Sequence, residues 1–569
     1  MYQSLSTSRL SSAWRHLFQN WAVPISTCFS LWFIGPGNVA PWRYEWLWFG
    51  DLRAAQIQWE FFRWTEVFKF PIAGTPNYVR EEPHSVLFYL PFKLLNPILP
   101  VNFQFLGFIV VTLFTFQAVA SVKLLKQFGL PNLHRNIGAV LLVLSPILIF
   151  RTGYLSHVML GGHGFVLFLI YLYWRESENI RSWALVCGPL SLLDPYLTVL
   201  AMSILACHIA RMLLISPKNF IRPLKLGLAI SLVVLVSLFL QGYFIDTGAL
   251  KSSYSFRMNI AAFLNPHFSV QENFSLILSR LHRVFNQSNF SEEIEGFSYL
   301  GLGIIVGAVV CLPVLLMRWS SEAFRKGLPL LGLAIIWVFV ALSSRAVLFR
   351  TEFRIPFPRI FDSFRTTFRS APRFTVLAYY LVVIAVIVVI SRLSRSKGAL
   401  RFALPLLLLV QVVDVLPGIQ KSQQQISSRK SLYPDLSGET WSEIGDTYKR
   451  LKIYPVYDFN SDLNGRLSDY WILEDRWYPI VMFAARSHLT SNFGYLARGS
   501  WEKTQDENTQ TIRELDDGNL ESCTIYVLPG SDIWRTYSSN LAPDQRAFSL
   551  DGYYLILSAP TSCRDGGND

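Results

Sequence analysis

About eleven mostly apolar stretches recur along the first 418 positions of this chain, and they limit its fold more than any other feature. In hydrocarbon every backbone N–H and C=O must be satisfied within the segment, so such runs fold as helices. They fall at about 17–37, 101–122 and 136–150, with a fourth returning to Trp174 after a turn at Thr152 to His157. Two short ones, about 182–193 and 196–210, are separated by Asp194-Pro195. The rest lie at about 226–243, 299–317, 328–343, 374–391 and 402–418. With 51% hydrophobic and only 16% charged residues, the chain is too apolar for a soluble enzyme. The expected fold class is a polytopic α-helical membrane protein.

A formal net charge of +12 would suit nucleic acid in a soluble protein, but in a membrane protein the excess of Lys and Arg belongs to cytoplasmic loops, so no nucleic-acid partner is expected. The basic loops follow that rule. Lys123, Lys126 and Arg135, then Arg175 and Arg181, then Arg211, Lys218, Arg222 and Lys225, then Arg318, Arg325 and Lys326, and finally Arg392, Arg395, Lys397 and Arg401 all fall on one side when the stretches are counted alternately. That side is taken as cytoplasmic. Asp51, Asp194 at the apex of a helical hairpin, the loop 244–297 and everything after Pro417 then face outward. Arg9 and Arg15 precede the first stretch without a small-residue cleavage site, which reads as a retained first helix.

The first outward loop, about 38–100, holds WFGDLRAAQIQWEFFRW, from Trp48 to Trp64. On a helix, Trp48, Leu52, Ala55, Trp59 and Phe62 form one stripe, while Arg53, Gln56 and Glu60 face away. The pattern predicts a helix in the membrane interface with tryptophans at headgroup depth. Asp51 then sits at headgroup level, either as a working acid or as a solvated acid near a helix start.

Beyond position 418 the chain turns polar. LKIYPVYD near 451, TIYVLPG near 524 and YYLILS near 553 read as strands, with helices expected over Tyr478 to His488 and Gln510 to Leu520. Residues 419–569 are expected to form an extracytoplasmic soluble α/β domain, following a membrane domain over 1–418. Cys523 and Cys563 flank predicted strands on the oxidising side, and both a disulfide and two free thiols are open. Of the six cysteines, Cys28, Cys187, Cys207 and Cys311 lie in apolar stretches, and without any CxxC pair a cysteine metal cluster is not expected.

One loop departs from the charge rule. Arg345, Arg350, Arg354, Arg359, Arg365, Arg369 and Arg373 lie between the ninth and tenth stretches, against Glu352 and Asp362, on the side counted as outward. Either the count inverts there, or the arginines anchor to lipid, or they bind phosphate, whose oxygens match a guanidinium with two parallel hydrogen bonds. FRSAPRF, with Arg369 and Arg373 one helical turn apart, is the segment best suited to phosphate. Asp194 would cost about 2.5–3.5 kcal/mol near a membrane centre, so it calls for a partner or a water-filled cavity, or else it is the helix-breaking half of an Asp-Pro turn. His157 and His163 in LSHVMLGGHGF are six residues apart, which points their rings apart on a helix and favours hydrogen-bonded packing over a metal pair or proton carrier. Gly161, Gly162 and Gly164 beside them allow a close approach of backbone or ligand. Glu295, in EGFSYLGLG, is a further acid at the mouth of the eighth stretch. Sequons stand at Asn273, Asn286 and Asn289, and there is no Gly-rich phosphate loop, GxSxG or HExxH.

In order, GDLRAAQIQWEFFR, FPIAGTPN, NFQFLG, LSHVMLGGHGFVLFLIYLYWR, LLDPYLTVLAM, EGFSYLGLG and FRSAPRFTVLAYYLV resemble a family of bacterial inner-membrane proteins of the GT-C glycosyltransferase superfamily, the one catalogued as domain-of-unknown-function family 6311. The resemblance spans about 49–382 and leaves the tail weakly covered. It implies a GT-C-like fold and a lipid-linked-sugar glycosyltransferase with a periplasmic active site, in which an acid of the first outer loop, Asp51 by position, acts on the acceptor. Polyprenyl-phosphate or pyrophosphate sugar donors, a glycan or lipid acceptor and membrane lipids are the implied partners. Arg369 and Arg373, with Arg365, would hold the departing phosphate, and Asp51, Glu60 and Asp194 are the candidate catalytic acids; Trp59, Arg63, His157, His163 and Glu295 would line the substrate pocket. Many GT-C members carry an acidic pair where this chain has Gly50-Asp51-Leu52. Glu60, Glu81 or Glu82 would have to supply the second acid, which leaves dependence on a divalent metal, Mg or Mn, open. The rivals are a lipid or glycan transporter (flippase) and a non-enzymatic envelope assembly protein.

Overall fold

The helices of eight residues or more follow the apolar runs closely. In chain order they are α1 Ala22–Ile34, α2 Gly50–Trp64, α3 Val86–Leu94, α4 Leu106–Gln127, α5 Asn132–Val143, α6 His163–Trp174, α7 Ile180–Ser191, α8 Pro195–Ile215 and α9 Ile221–Leu240. Then come α10 Leu302–Met317, α11 Glu322–Leu342, α12 Val376–Ser396 and α13 Ala403–Ser427, and the tail adds α14 Glu439–Thr447, α15 Trp477–Arg486, α16 Trp501–Asp516 and α17 Ser531–Ser538. This computed structural model describes residues 19–47, 50–65, 70, 72, 86–244, 256–268, 272–281, 290–317, 322–349, 351–356, 358, 364, 367–396, 398–427, 436–455, 476–492, 501–559 and 563. Arg9, Arg15, Trp48, Glu81, Glu82, Asn286, Asn289, Arg318, Arg350, Arg359, Asp362, Arg365 and Lys397 lie outside the described residues.

Among the described residues, 7 helices are long and apolar enough to cross a bilayer: Leu106–Gln127, Asn132–Tyr154, Pro195–Ile215, Ile221–Leu240, Phe324–Leu342, Ala371–Arg395 and Leu400–Ser427. Ala22–Ile34, Val158–Trp174 and Leu302–Met317 are shorter apolar helices. That content fits a membrane protein. The short stretch expected at 196–210 is a full 21-residue helix, whereas its partner α7 has 12 residues. Asp194 starts α8 as its N-cap, its carboxylate accepting from the Leu197 N–H at 2.9 Å, and Pro195 occupies the first turn, where no N–H is needed.

The chain divides into two compact units. The first comprises Met1–Phe49, Val101–Ser237 and Tyr254–Arg429. Within it α4 packs against α1, α5 and α6. Gly164 makes the α4–α6 crossing close: a Cβ there would lie 2.9 Å from the Gln117 backbone nitrogen. Asp414, fully buried on α13, accepts from the Ser275 hydroxyl, the Tyr299 hydroxyl at 2.6 Å and the Leu302 N–H at 2.9 Å. Gln411, one turn earlier, donates to the Leu300 carbonyl at 3.0 Å. These bonds fix the segment that leads from Glu295 into α10. Strands β1 Arg345–Leu348 and β2 Thr351–Arg354 form an antiparallel hairpin in the same unit.

The second unit comprises Gly50–Pro100, Leu238–Ser253 and Lys430–Asp569. Its sheet contains β3 Arg450–Ile453, β4 Thr490–Ser491, β5 Thr524–Leu528, β6 Arg546–Leu550 and β7 Tyr553–Leu557 in the order β4-β3-β5-β7-β6. β3 is parallel to both neighbours, with Leu451 opposite Ile525, while β7 runs antiparallel to β5 and β6. The central strand β5, TIYVL, is buried throughout, as expected of a continuous apolar run rather than an alternating one. Cys523 and Cys563 are joined by a disulfide, their Cα atoms 5.4 Å apart. α2 packs on α15 and α3 in this unit.

Candidate functional site

In the first unit, charged groups from four segments meet around Glu295. Its carboxylate sits in a single 3-10 turn, Ile294–Gly296, and is 5% exposed. Gly296 lets that turn lie against the neighbouring backbone, since a Cβ there would come within 2.8 Å of the Arg257 carbonyl oxygen. Arg373, from the 3-10 turn Ala371–Thr375 ahead of α12, donates Nε to Oε2 at 3.1 Å and Nη2 to Oε1 at 2.6 Å. Arg151 lies in the π-helical turn Phe150–Tyr154 and donates Nη1 to the Glu295 carboxylate and Nη2 to the Glu295 backbone carbonyl. His157 Nδ1 stands 3.8 Å from Oε1.

Burial alone would raise the Glu295 pKa, but the charges of Arg373, Arg151 and His157 outweigh it and hold the carboxyl well below the usual carboxylate range. Tyr196, two residues after Asp194, lies under the Arg373 guanidinium, 4.8 Å from ring centroid to carbon, and its hydroxyl accepts from the Ser370 N–H at 3.2 Å. Burial raises the Asp194 pKa against the Leu197 N–H and the field of Arg373. The expected residues Asp194, His157, Glu295 and Arg373 thus belong to one centre, and Arg369 precedes it on the same segment, its carbonyl accepting from the Phe256 N–H at 3.1 Å.

Arg151 was not singled out from the sequence. The signal was there: a lone arginine inside ILIFRTGY carries the same insertion cost as Asp194 and therefore needs a buried partner. His163 lies elsewhere, its Nδ1 2.9 Å from the Tyr380 hydroxyl, which also accepts from Gln117 at 2.8 Å. That is a packing network between helices. Gly162, beside it, faces Leu193 and Leu197. Arg345, of the arginine-rich run, pairs with Glu292 at 3.8 Å and Glu352 at 3.9 Å, next to Arg257, which holds Glu352 at 2.7 Å and Glu292 at 3.1 Å.

The second unit holds the other expected residues on α2. Asp51 is half-buried in its first turn. Of the face expected to turn away from the apolar stripe, Gln56 and Glu60 are buried and Arg53 is half-buried; Arg63 is buried too. Gln56 donates to Glu60 at 2.9 Å, and Arg63 lies 3.5 Å from Glu60 while donating to Asn96 at 2.8 Å and to the Pro100 carbonyl at 3.0 Å. Trp59 is buried edge-on to Tyr89 and beneath Arg63. Arg53 lies over Trp477, and the rings of Trp64 and His488 meet 4.4 Å apart, tilted by 40°. Among the described residues no group of three or more His, Cys, Asp or Glu is placed to hold a metal ion.

The family model described as "Domain of unknown function (DUF6311)" matches residues 23–416, and the one described as "DUF6311 C-terminal domain" matches 440–558. No curated protein matches the sequence. Among solved structures, the apo oligosaccharyltransferase of Archaeoglobus fulgidus superposes on 90% of this chain and 69% of its own, at 11% identity and a TM-score of 0.38. A superposition that loose carries no functional argument.

Proposed function

We propose that this chain, which belongs to the DUF6311 family, is a membrane glycosyltransferase that moves a sugar from a polyprenyl-phosphate or pyrophosphate donor to a cell-envelope glycan or lipid at the outer face of the membrane. The observation that carries the reading is Arg373. It is a guanidinium at the end of a span, 19% exposed, held by a buried carboxylate through two hydrogen bonds and lying over the Tyr196 ring, with Arg369 four residues before it. A preorganised cation of this kind stabilises a phosphate that gains charge as it leaves, at little reorganisation cost. The resemblance of GDLRAAQIQWEFFR to the acid-bearing first loop of GT-C enzymes supports Asp51 as the base.

In this mechanism a general base, the role that the resemblance gives to Asp51, takes the proton of the acceptor hydroxyl, whose oxygen attacks the anomeric carbon. The bond from that carbon to the phosphate oxygen breaks with inversion, and polyprenyl phosphate departs to Arg369 and Arg373. The tail unit, on the periplasmic side of a bacterial inner membrane, would help to bind the acceptor. The test is purified Asp51→Asn and Arg369→Ala protein with labelled polyprenyl-phosphate sugars and an envelope extract. Loss of a positioned base should cost about 10²–10⁴ in rate. Transfer at the wild-type rate by both variants refutes the mechanism, and envelope function surviving in Asp51→Asn cells would favour a transporter or an assembly protein.

A further inference from the structure

We propose that Glu295 is a positioning residue for the donor phosphate, setting the edge that Arg373 presents to it. This rests on the glycosyltransferase reading above. A guanidinium has two edges that can each form paired hydrogen bonds. One consists of Nε with Nη2, the other of Nη1 with Nη2. Glu295 takes the first edge of Arg373, through Nε at 3.1 Å and Nη2 at 2.6 Å, which directs the second away from the carboxylate. The Arg373 guanidinium carbon also lies over the Tyr196 ring, 4.8 Å from its centroid, a second contact that restrains the side chain. Arg151 holds Glu295 from behind through both its carboxylate and its backbone carbonyl, and is itself only 2% exposed.

Of the two arginines, Arg373 is therefore the one that can reach a ligand, and Arg151 is a brace. The matching ligand is a phosphate bearing two oxygens that can meet a planar pair of donors, as on a polyprenyl phosphate. Glu295 does not touch the substrate in this arrangement, because Arg373 holds both of its carboxylate oxygens and Arg151 holds one of them as well.

The experiment measures binding of decaprenyl monophosphate to the full chain in detergent, beside the thermal unfolding midpoint of each variant. Arg373→Lys keeps a cation for Glu295 but has no second edge. It should weaken binding at least about tenfold while the midpoint stays near wild type. Glu295→Gln, isosteric and uncharged, should weaken binding by a similar factor, and Glu295→Asp, which restores the charge, should recover part of it. Wild-type affinity in folded Arg373→Lys protein overturns the proposal, and that variant decides if Glu295→Gln does not fold. Displacement of the probe by phosphatidylglycerol at equal concentration overturns the assignment to a prenyl phosphate. If wild-type protein binds the probe and all three variants bind equally, only the positioning role falls. If wild-type protein neither binds nor uses it, the glycosyltransferase reading falls with it.

Discussion

Replacing Glu60 by Gln tests whether the acid nine residues beyond Asp51 works on substrate or holds α2 together. Glu60 is 1% exposed, accepts from Gln56 at 2.9 Å and faces the equally buried Arg63 at 3.5 Å. Removing one member of such a pair leaves an uncompensated buried charge and costs about 3–5 kcal/mol. Arg63 retains Asn96, the Pro100 carbonyl and the faces of Trp59 and Trp64, which places the expected loss near the lower end, about 3 kcal/mol. For a unit of about 200 residues, that corresponds to a fall of about 6–12 °C in the unfolding midpoint of the sheet-containing unit. The assay is thermal unfolding of the full chain in detergent, run beside wild-type protein and beside sugar transfer by the same variant. An unchanged midpoint in Glu60→Gln protein, together with lost sugar transfer, would refute the structural assignment and return Glu60 to the catalytic acids.

Two further predictions concern the second unit. Cys523→Ser removes a bridge with a sequence separation of 40, which the chain-entropy relation values at about 4 kcal/mol; alkylation should modify both cysteines of wild-type protein only after reduction, and modification without reductant would exclude the disulfide. Burial first and the charge of Arg63 second push the His488 imidazole below its ordinary 6.5, so the unfolded chain binds more protons between the two values and stability rises with pH. The contribution is complete above about pH 6.5 and is lost as the pH falls through the folded value. The midpoint should therefore drop between about pH 7.5 and 5.5, and His488→Phe, which keeps a ring against Trp64, should flatten that drop; an unflattened curve rules out His488 as its source.

Much of the architecture was legible because periodicity and run length are local properties. The apolar runs marked the helices to within several residues, Asp194-Pro195 marked the start of α8, and LKI, TIYVL and YYLIL of the expected strands lie in β3, β5 and β7. Glu295 and Asp194 read as acids at the mouths of spans, Arg373 as part of a phosphate-binding segment and His157 as a packing histidine; in the fold Arg373 and His157 lie against Glu295, and Asp194 lies in the field of Arg373. Their bonding was not legible. Arg373 reads from sequence as a phosphate ligand with both edges open, yet one edge belongs to a carboxylate 78 residues away.

What the sequence determined by itself is therefore what a single helix or strand decides alone: which segments are too apolar for water, where each begins, and which charges are costly enough to need a partner. Tertiary structure alone decided who those partners are. Arg151 meets Glu295 across 144 residues, and no spacing encodes such a pair because each lies on a different element. The same limit explains α2. Hydrophobic periodicity reports a contrast between two faces but not what lies against the polar one, so Arg53, Gln56 and Glu60 read as the face turned from the apolar stripe, whereas Gln56 and Glu60 are buried, bonded to each other, with the buried Arg63 beside Glu60. A buried charge and a solvated one look alike along the chain, and only the groups that replace water tell them apart.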